Sequence, residues 1–486
     1  MEVIRYPGWF TAASGLLADH HTPMVAERGA FMSNRPYDAS DEYAAQLQEE
    51  AVRHLQALLK LETVSPPGHE RLAADYIAAQ LDAEGIPYEI VESAPTRANI
   101  VARLKAENPT AKPLLLLGHT DVVSVEPEKW EHDPFGGELI DGYLWGRGAL
   151  DMKNQVAGEL TVFLELKRKN IPLNRDVIFA AFADEEVSGD LGAGWIYNER
   201  NDLIGDAEYG LNEGGGHPQT IAGSTFLSIG SGEKGQSIVR ITFTGKPGHA
   251  STPIPDTAVA KLGRALVKLD QWVPDFTITT PVRRTLEGLA ALQTGETKAT
   301  IERLLASDAP TWEDLLPILT TELEQRALWA VTHNTAVPTL INAGVRINVI
   351  PSEVTLDVDS RILPGITPEE WRQSVQDVVG DLGEVTLLTE KAGVAFDPAS
   401  PFFDAIQATI DGLLPGTKVI PTLIGGRTDA AYLKSIKTYG FWPVLPTERL
   451  KEYAGLAHGH NERVHVNDVG FGTRFAWNFV TSFVTD

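Results

Sequence analysis

The chain has 486 residues, of which 43% are hydrophobic, and this size and composition predict a globular protein of two or three domains. Its 41 basic and 66 acidic residues give a formal charge of -25. This balance argues against nucleic acid and anionic membrane surfaces as partners, because phosphate binding needs a basic face. Cysteine is absent, so disulfides and thiolate ligands are excluded and any metal must be held by His, Asp and Glu.

The first segment of the chain predicts little regular structure. Residues 1–40 show no clear period and predict an irregular extension. Residues 1–30 lack the basic-then-apolar pattern of a secretory signal, and no apolar run approaches the ~18 residues of a membrane span. A cytoplasmic enzyme with no membrane partner is therefore the expectation.

Helices and short strands alternate in the next part of the chain. Helices with one apolar face are expected from Asp41 and over 70–84, and short strands at 88–91 and 99–104. Four consecutive leucines within 113–118 are typical of a strand buried on both faces of a parallel sheet. The helix expected at 156–169 and the buried strand expected at 177–183 continue the alternation, which predicts an α/β core.

The pattern changes near Gly235. Residues 237–245 alternate as a strand with one wet face, 258–272 and 312–332 predict helices, and 342–361 predicts two further strands. This stretch predicts a separate antiparallel sheet carrying helices, inserted into the first domain. The predicted domains are an irregular extension at 1–40, a catalytic domain at 41–235 and 395–486, and an inserted domain at 236–394.

A histidine directly follows the leucine strand, in the GHTD segment at 118–121. In open α/β sheets, sites form beyond the carboxyl ends of strands, which places His119 at a crevice. A metal-bound imidazole usually donates its other N–H to a carboxylate, and Asp121 is suited to accept it. For this motif alone, a core or capping histidine is an equal alternative.

Two further segments place acids where a metal could sit. Asp151 follows the GRGAL segment and opens a helix, so it either caps that helix or bridges two metal ions ~3.5–4 Å apart. Asp184, Glu185 and Glu186 end an apolar strand, where three acids are costly unless solvated or paired with cations. The functional interpretation assigns Glu186 to a metal and leaves Glu185 as a general base. The alternative is an acidic strand end in water.

Two weaker candidates complete the set. Glu213 precedes three glycines, which leave room for a ligand, although a lone glutamate before glycines is more often part of a turn. Late in the chain, His458 and His460 lie two residues apart, and their spacing alone does not choose between them.

Together these segments resemble the M20 family of zinc metallopeptidases and amidohydrolases, which includes carboxypeptidases, dipeptidases and aminoacylases. The resemblance covers about residues 45–486. The matching segments are HTD at 119–121, GRGALD at 146–151, DEE at 184–186, NEG at 212–214 and HG-x-NE at 458–462. The implied fold class is α/β: a zinc-peptidase-like catalytic domain with a mixed sheet flanked by helices, plus an inserted α+β lid domain with an antiparallel sheet.

The resemblance implies a site of two Zn²⁺ ions that share one aspartate. The implied ligands are His119, Asp151 and Glu213 for one ion and Asp151, Glu186 and His458 for the other. The family carries a histidine three residues before Asn-Glu, which favours His458 over His460. Co²⁺ or Mn²⁺ also suits oxygen and nitrogen ligands.

The resemblance also implies roles next to the metals. Glu185 is the implied general base, and Asp121 the implied partner of His119. Members of the family often have a cis peptide after the bridging aspartate, here at Asp151–Met152.

Substrate-binding residues are implied mainly for the inserted domain. His249 matches a histidine that supports the oxyanion, often across a dimer interface. Asn348 lies in the family's Asn-Val-Ile-Pro segment, and Arg361 matches an arginine that binds the substrate carboxylate. Gly426 and Arg427 lie in a GGRTD loop that resembles the family's Gly-Gly-Thr-Asp loop, but Arg427 is an extra residue. It either selects a carboxylate-bearing substrate or pairs with a nearby acid.

The sequence thus predicts a dizinc hydrolase that cleaves the amide bond of a small peptide or N-acyl amino acid with a free carboxylate. Carboxypeptidase or dipeptidase and N-acyl-amino-acid hydrolase are both left open. A homodimer through the lid domain is expected, and the long 282–333 segment either enlarges the substrate pocket or replaces a partner surface. The alternative from another class is a non-catalytic metal-binding or scaffold protein on a dead hydrolase fold.

Overall fold

The computed structural model describes residues 41–485, so the extension predicted at 1–40 lies outside the described residues. The helices are α1 (Asp41–Leu59), α2 (Arg71–Ala83), α3 (Lys153–Arg168), α4 (Ala193–Glu199), α5 (Asn201–Ile204), α6 (Ala258–Gln271), α7 (Thr280–Leu292), α8 (Gly295–Ala306), α9 (Trp312–Leu315), α10 (Glu322–Thr332), α11 (Pro368–Val379), α12 (Pro401–Leu413), α13 (Arg449–Tyr453) and α14 (Val466–Thr485). Across residues 41–485, no helix combines the length and the apolarity needed to cross a bilayer.

The strands within residues 41–485 form one large sheet and three smaller ones. They are β1 (Tyr88–Ala94), β2 (Arg97–Leu104), β3 (Leu114–His119), β4 (Glu138–Ile140), β5 (Tyr143–Trp145), β6 (Val177–Phe182), β7 (Tyr209–Asn212), β8 (Pro218–Ile221), β9 (Ser224–Glu233), β10 (Gly235–Gln236), β11 (Val239–Thr244), β12 (Gly248–His249), β13 (Thr335–Ala343), β14 (Val349–Ile350), β15 (Glu353–Ile362), β16 (Glu384–Leu387), β17 (Val394–Ala395), β18 (Val419–Ile424), β19 (Lys437–Gly440) and β20 (Arg463–His465).

The large sheet is mixed and has a parallel centre. Its order is β1-β2-β6-β3-β7-β19-β9-β17, with β8 and β18 also paired to β9. Strand β3 pairs parallel with both β6 and β7. All residues of β3 and β6 are buried, because α3 lies against both strands and α4 and α5 pack against Leu115 and Leu117. The carboxyl ends of β6, β3 and β7 therefore lie side by side.

A second, antiparallel sheet has the order β10-β15-β11-β16, with β13 paired to the far side of β15. Helices α6 and α11 cover one face, where Ile241 and Phe243 share a core with Leu262 and Trp371. Burial alternates along β11, as the sequence pattern predicts for a strand with one wet face. The predicted fold class is confirmed, whereas the exact domain boundaries stay a prediction.

The helical segment between α7 and α10 packs on the outer strands of the large sheet. Leu286 and Leu289 of α7 share a core with Phe226 of β9 and Ile420 of β18, and the Thr285 hydroxyl donates to the carbonyl of Pro421 at 2.7 Å. Two cavities, of about 190 and 420 Å³, lie beside Glu185 and beside Asp151 and Glu213, and no residue of this helical segment lines either of them. Its packing therefore thickens one end of the large sheet.

Two predicted elements are wrong in detail. The single helix predicted at 312–332 is broken into α9, a 3-10 turn at Leu316–Ile318 and α10. Pro317 lacks the N–H that an uninterrupted helix needs, and the Thr321 side chain caps a new helix by accepting the Glu324 amide. The first of the strands predicted at 342–361 begins earlier, as β13.

Candidate metal centre

Three neighbouring strands deliver three of the candidate ligands. His119 is the last residue of β3, Glu186 lies four residues after the end of β6, and Glu213 directly follows β7. The other two come from the helical layer and a late loop: Asp151 lies two residues before α3, and His458 lies between α13 and β20. The structure brings all five predicted ligands together, although 339 positions separate the first from the last.

One half of the cluster is centred on His119. Its Nε2 lies 3.3 Å from Oδ1 of Asp151 and 3.6 Å from Oε1 of Glu213. Oε2 of Glu185 is farther from the same nitrogen, at 3.9 Å. The imidazole and these three carboxylates thus point at one small volume.

The other half is centred on His458. Its Nε2 lies 3.1 Å from Oδ2 of Asp151 and 2.9 Å from Oε2 of Glu186. The two carboxylate oxygens of Asp151 therefore face two different imidazoles. This is the arrangement expected of a carboxylate that bridges two ions. His460 lies outside the cluster, with its Nε2 3.5 Å from Glu126.

The separations around His119, 3.3 and 3.6 Å, suit a divalent cation, and those around His458, 3.1 and 2.9 Å, are somewhat shorter. With ligand bonds of about 2.0–2.2 Å, the ligand atoms of a tetrahedral zinc ion lie about 3.3–3.6 Å from one another. Within residues 41–485, the groups compact enough to hold an ion are His119 with Glu185 and Glu213, and His119 with Asp151 and Glu186. The first group includes Glu185 where the sequence predicts Asp151, and the second includes His119 where the sequence predicts His458. We assign Asp151, because its 3.3 Å separation from His119 matches a shared ion better than the 3.9 Å of Glu185.

Charge is crowded at this site. Burial, followed by repulsion from neighbouring carboxylates, raises the pKa of Glu213 and of Glu185 well above the ordinary value. Hydrogen bonds to Asp151 and Glu186 raise the pKa of His458 to about 10. The donor set is therefore short of positive charge, which two divalent cations would supply.

Asp121 links two strand ends. Its backbone carbonyl is the closest acceptor of His119 Nδ1, at 3.0 Å, while its carboxylate oxygen is 3.6 Å away. The carboxylate accepts the backbone amides of Glu185 and Glu186 at 3.1 and 3.2 Å. The closest contact of Asp121 with His119 is thus made by its backbone carbonyl and not by the carboxylate that the sequence analysis proposed, and the carboxylate fixes the loop that carries the predicted base.

Glu462 is a structural residue of the centre that the sequence analysis did not single out. Its buried carboxylate accepts the amides of Gly148, Leu150 and Asp151 at 3.0, 2.7 and 3.2 Å, and Arg147 donates to it at 2.6 Å. These bonds hold the loop that presents Asp151, whose peptide to Met152 is cis. The signal in the sequence is the NE pair that follows His458.

A charged cavity of about 190 Å³ borders the cluster through Glu185. Three cationic side chains line it, from distant parts of the chain: Arg361, Lys391 and Arg427. Arg361 pairs with Asp359 at 2.9 Å, and Lys391 pairs with Asp190. We call this space the charged cavity.

The sequence analysis left open whether Arg427 pairs with a nearby acid or selects a carboxylate-bearing substrate, and its contacts bear on the first alternative. Its guanidinium lies 4.2 Å from the centre of the Tyr432 ring and donates to the Ser188 carbonyl at 3.4 Å. No carboxylate in the described part of the chain lies within the 4.0 Å of an ion pair with it. The side chain is therefore held in place by neutral groups while its charge faces the cavity.

Asp429 is a second residue that the sequence analysis did not assign. It is buried on the wall of the charged cavity, and neither carboxylate oxygen has a hydrogen-bond partner within residues 41–485. Burial raises its pKa to about 8. The preceding Thr428 bonds to Glu233 and Asn212, which fixes the loop. The Thr-Asp pair of the GGRTD segment is the sequence signal.

Three predicted substrate residues lie apart from these contacts. His249 is exposed, with its Nδ1 2.7 Å from the Ser251 hydroxyl. Asn348 and Gly426 are also exposed, and none of the three lines either cavity. Their predicted roles stay predictions.

The sequence matches the model for peptidase family M20/M25/M40 over residues 115–482. It is 30% identical over 388 residues to the N-fatty-acyl-amino acid synthase/hydrolase PM20D1 of Xenopus tropicalis, covering 77% of this chain and 73% of that protein. It is 26% identical over 416 residues to aminoacylase-1 of Sus scrofa, covering 84% and 88%.

Among solved structures, the fold is similar to that of the M20 family metallo-carboxypeptidase Sso-CP2 from Sulfolobus solfataricus. The TM-score is 0.66 at 20% identity, covering 89% of this chain and 98% of the other. At this identity the likeness concerns the fold.

Proposed function

The chain belongs to peptidase family M20/M25/M40 and is a hydrolase, and from this premise we propose that it is a two-metal amide hydrolase. Its substrate is a small peptide or N-acyl amino acid with a free carboxylate. The observation that carries the proposal is Asp151, whose two oxygens lie 3.3 and 3.1 Å from the imidazoles of His119 and His458. A complete ligand set beside Glu185 argues against the alternative of a non-catalytic scaffold.

The five ligands fit two Zn²⁺ ions, and Co²⁺ or Mn²⁺ would suit the same nitrogen and oxygen donors. When bound, the pair would polarise the scissile carbonyl and lower the pKa of an attacking water.

Glu185 is the proposed general base. It lies at the boundary between the ligand cluster and the charged cavity, 3.9 Å from His119. Its carboxylate would accept the proton of the attacking water and later transfer it to the leaving amine. The hydrogen bonds that the amides of Glu185 and Glu186 donate to Asp121 hold the Glu185 carboxylate at the edge of the cavity.

The charged cavity is the proposed site of the substrate carboxylate. Arg361 lies on β15 and Arg427 on the loop after β18, and a guanidinium suits a planar carboxylate because it donates two parallel hydrogen bonds. Lys391 is a third cation of this cavity, and its charge is offset by its ion pair with Asp190, which also lines the cavity. Asn348 and Gly426 are proposed as further substrate contacts after movement of the loops that carry them.

We further propose a homodimer through the antiparallel sheet. Strand β13 lies at an edge of this sheet and exposes three large apolar side chains: Val337, Leu340 and Ile341 are 54%, 60% and 52% exposed. An apolar edge strand tends to pair with another chain. His249 would then act in the active site of the partner subunit, which fits its exposure and its absence from both cavities.

Mixing two variants tests the dimer and His249 together. Glu185→Gln and His249→Ala should each lose activity. After subunit exchange, a mixed dimer has one site with an intact Glu185 and an intact His249 from the other chain, so activity should return. A monomer by light scattering, or no recovery after proven exchange, would contradict the proposal.

The experiment that tests the main proposal is a turnover screen of dipeptides and N-acyl amino acids, with and without chelator. We expect hydrolysis of at least one of these classes, abolished by chelation and restored by Zn²⁺, Co²⁺ or Mn²⁺. Turnover insensitive to chelation would contradict the metal assignment. A cytoplasmic location is also our proposal, and cell fractionation tests it.

A further inference from the structure

A second cavity, of about 420 Å³, borders the ligand cluster through Asp151 and Glu213, whereas the charged cavity borders it through Glu185. Most of its lining away from the cluster is apolar. The side chains used below are Trp442, Val444, Leu450, Tyr453, Ala454 and Ala457. We call this space the apolar cavity.

The floor of the apolar cavity is fixed by close packing. Trp442 and Val444 follow β19 and are only 5% and 3% exposed. The Trp442 ring lies so close to Gly158 of α3 and Gly472 of α14 that a Cβ at either glycine would come within 2.5 Å of it. The floor is therefore rigid, and its shape is set by the two helices beneath it.

The outer wall is formed by the chain around α13 and is tied to the core by one carboxylate. Asp468, at the start of α14, is 2% exposed. It accepts bonds from the amide of Leu445 at 3.1 Å, Nε of Arg449 at 3.1 Å and the hydroxyl of Tyr453 at 2.5 Å. These hydrogen bonds fix the segment whose Leu450 and Tyr453 line the cavity.

The charge of the lining distinguishes two substrate classes. Among the lining residues, the only carboxylates are Asp151 and Glu213, which are already assigned to the metals. The α-ammonium of a dipeptide placed here would lose its hydration without gaining a free anionic partner, which is costly. An uncharged hydrocarbon chain would gain from leaving water.

We propose that the apolar cavity binds the acyl chain of the substrate, so that the enzyme prefers N-acyl amino acids with a medium-length aliphatic acyl group. This inference rests on the proposed function. A methylene group is close in size to a water molecule, of about 30 Å³, so the cavity of about 420 Å³ holds on the order of ten carbon atoms. The scissile amide then lies at the ligand cluster, with the acyl chain in the apolar cavity and the carboxylate in the charged one.

A chain-length series on one amino acid tests this arrangement with the full-length, metal-loaded protein. The substrates are N-acetyl-, N-hexanoyl-, N-decanoyl- and N-palmitoyl-leucine, together with the dipeptide leucyl-leucine. We expect kcat/KM to rise up to about fourfold per added methylene until the cavity is full, and then to level off or fall. Decanoate should inhibit as a product far better than acetate.

Leu450→Asp places an anion in the wall. It should lower kcat/KM for the decanoyl substrate at least tenfold more than for the acetyl substrate, and move preference toward leucyl-leucine. Ala454→Phe, at an exposed position of the same wall, should shorten the preferred chain by bulk alone. Leu323→Asp is the matched control, because Leu323 is 76% exposed and lines neither cavity.

The outcomes distinguish a failure of the acyl-chain proposal from a failure of the proposed hydrolase function. Turnover of the acetyl substrate with no gain from longer chains, or a preference for leucyl-leucine, would overturn the acyl-chain proposal alone. Equal losses on all substrates in Leu450→Asp would do the same. No metal-dependent turnover of any of these substrates would overturn the proposed function itself.

Discussion

The two cavities beside the ligand cluster differ in the kind of contact that their side chains offer to a substrate. The charged cavity has three cations at fixed positions, with Arg427 stacked on Tyr432 and Arg361 paired with Asp359. The apolar cavity is larger and has a rigid floor at Trp442. Directional bonds fix the orientation of a ligand, whereas buried apolar area adds affinity in proportion to size. We therefore propose that the charged cavity orients the substrate and that the apolar cavity selects for the length of its acyl chain.

The largest effect should come from the residue at the boundary between the ligand cluster and the charged cavity. Glu185→Gln should lower kcat by about 10²–10⁴-fold for every substrate, because the base acts on the water and not on either end of the substrate. Metal content should stay at the wild-type level. Loss of one cation would mean that Glu185 is a ligand, as its place in the cluster with His119 and Glu213 also allows. Full activity would remove the base assignment.

Arg361→Met should affect only the recognition of the substrate carboxylate. We expect kcat/KM to fall on the order of a hundredfold for substrates with a free carboxylate, since a charged, hydrogen-bonded pair with the substrate is lost. The same substrates with a carboxamide should be poor for both proteins and should show little further loss. Equal losses on acids and amides would assign Arg361 a structural role through its pair with Asp359.

Arg427→Met should have a smaller effect of the same kind, about tenfold in KM, because one charged hydrogen bond is removed. Combined with Leu450→Asp, the two losses should multiply for the decanoyl substrate, since they act in separate cavities. Arg240→Met is the matched control, because Arg240 pairs with Asp357 on the antiparallel sheet and lines neither cavity. Strong non-additivity would contradict the division into two cavities.

The smallest expected effect is on the free energy of unfolding. It concerns Lys234, which lies between the large sheet and the antiparallel sheet that carries Arg361. Lys234 joins β9 to β10, and its buried Nζ donates to the carbonyls of Ala330 and His333 at 2.8 and 2.6 Å. Burial lowers its pKa to about 7. The unfolded chain therefore binds more protons between pH 7 and about 10.5, so its contribution makes the free energy of unfolding rise with pH across that window.

Denaturant unfolding of the wild type and of Lys234→Met at a series of pH values measures this contribution. The variant should lack the part of the pH slope that Lys234 causes, so its free energy of unfolding relative to the wild type should fall as the pH rises from 7 to about 10.5. Identical slopes in the two proteins would contradict the lowered pKa.

The sequence predicts the ligand cluster far better than the cavities, for a physical reason. His119, Glu186 and Glu213 follow buried strands, so an apolar run that ends in a polar residue marks each of them. Parallel pairing then brings the strand ends together. Lys391 and Tyr432 carry no such local mark, because only the three-dimensional fold brings them to one wall.

The fold also divides into features with a local sequence signal and features that depend on three-dimensional contacts. Strands and helices with strong periodicity were predictable, while the break in the helix predicted at 312–332 depends on Pro317 and on the cap at Thr321. Helix α7 was not predicted, since its apolar face is defined by the outer strands of the large sheet that it covers. The fixed position of Trp442 in the floor of the apolar cavity depends on two glycines, Gly158 and Gly472, that are remote from it in sequence.

The most direct test of the account is the number of divalent cations bound by purified, remetallated protein, measured by elemental analysis. We predict two per chain in the wild type, a loss of about one in Glu213→Ala and in Glu186→Ala, and a loss of both in Asp151→Ala, because that carboxylate faces both imidazoles. No stoichiometric cation in the wild type, or two retained in Asp151→Ala, would contradict it.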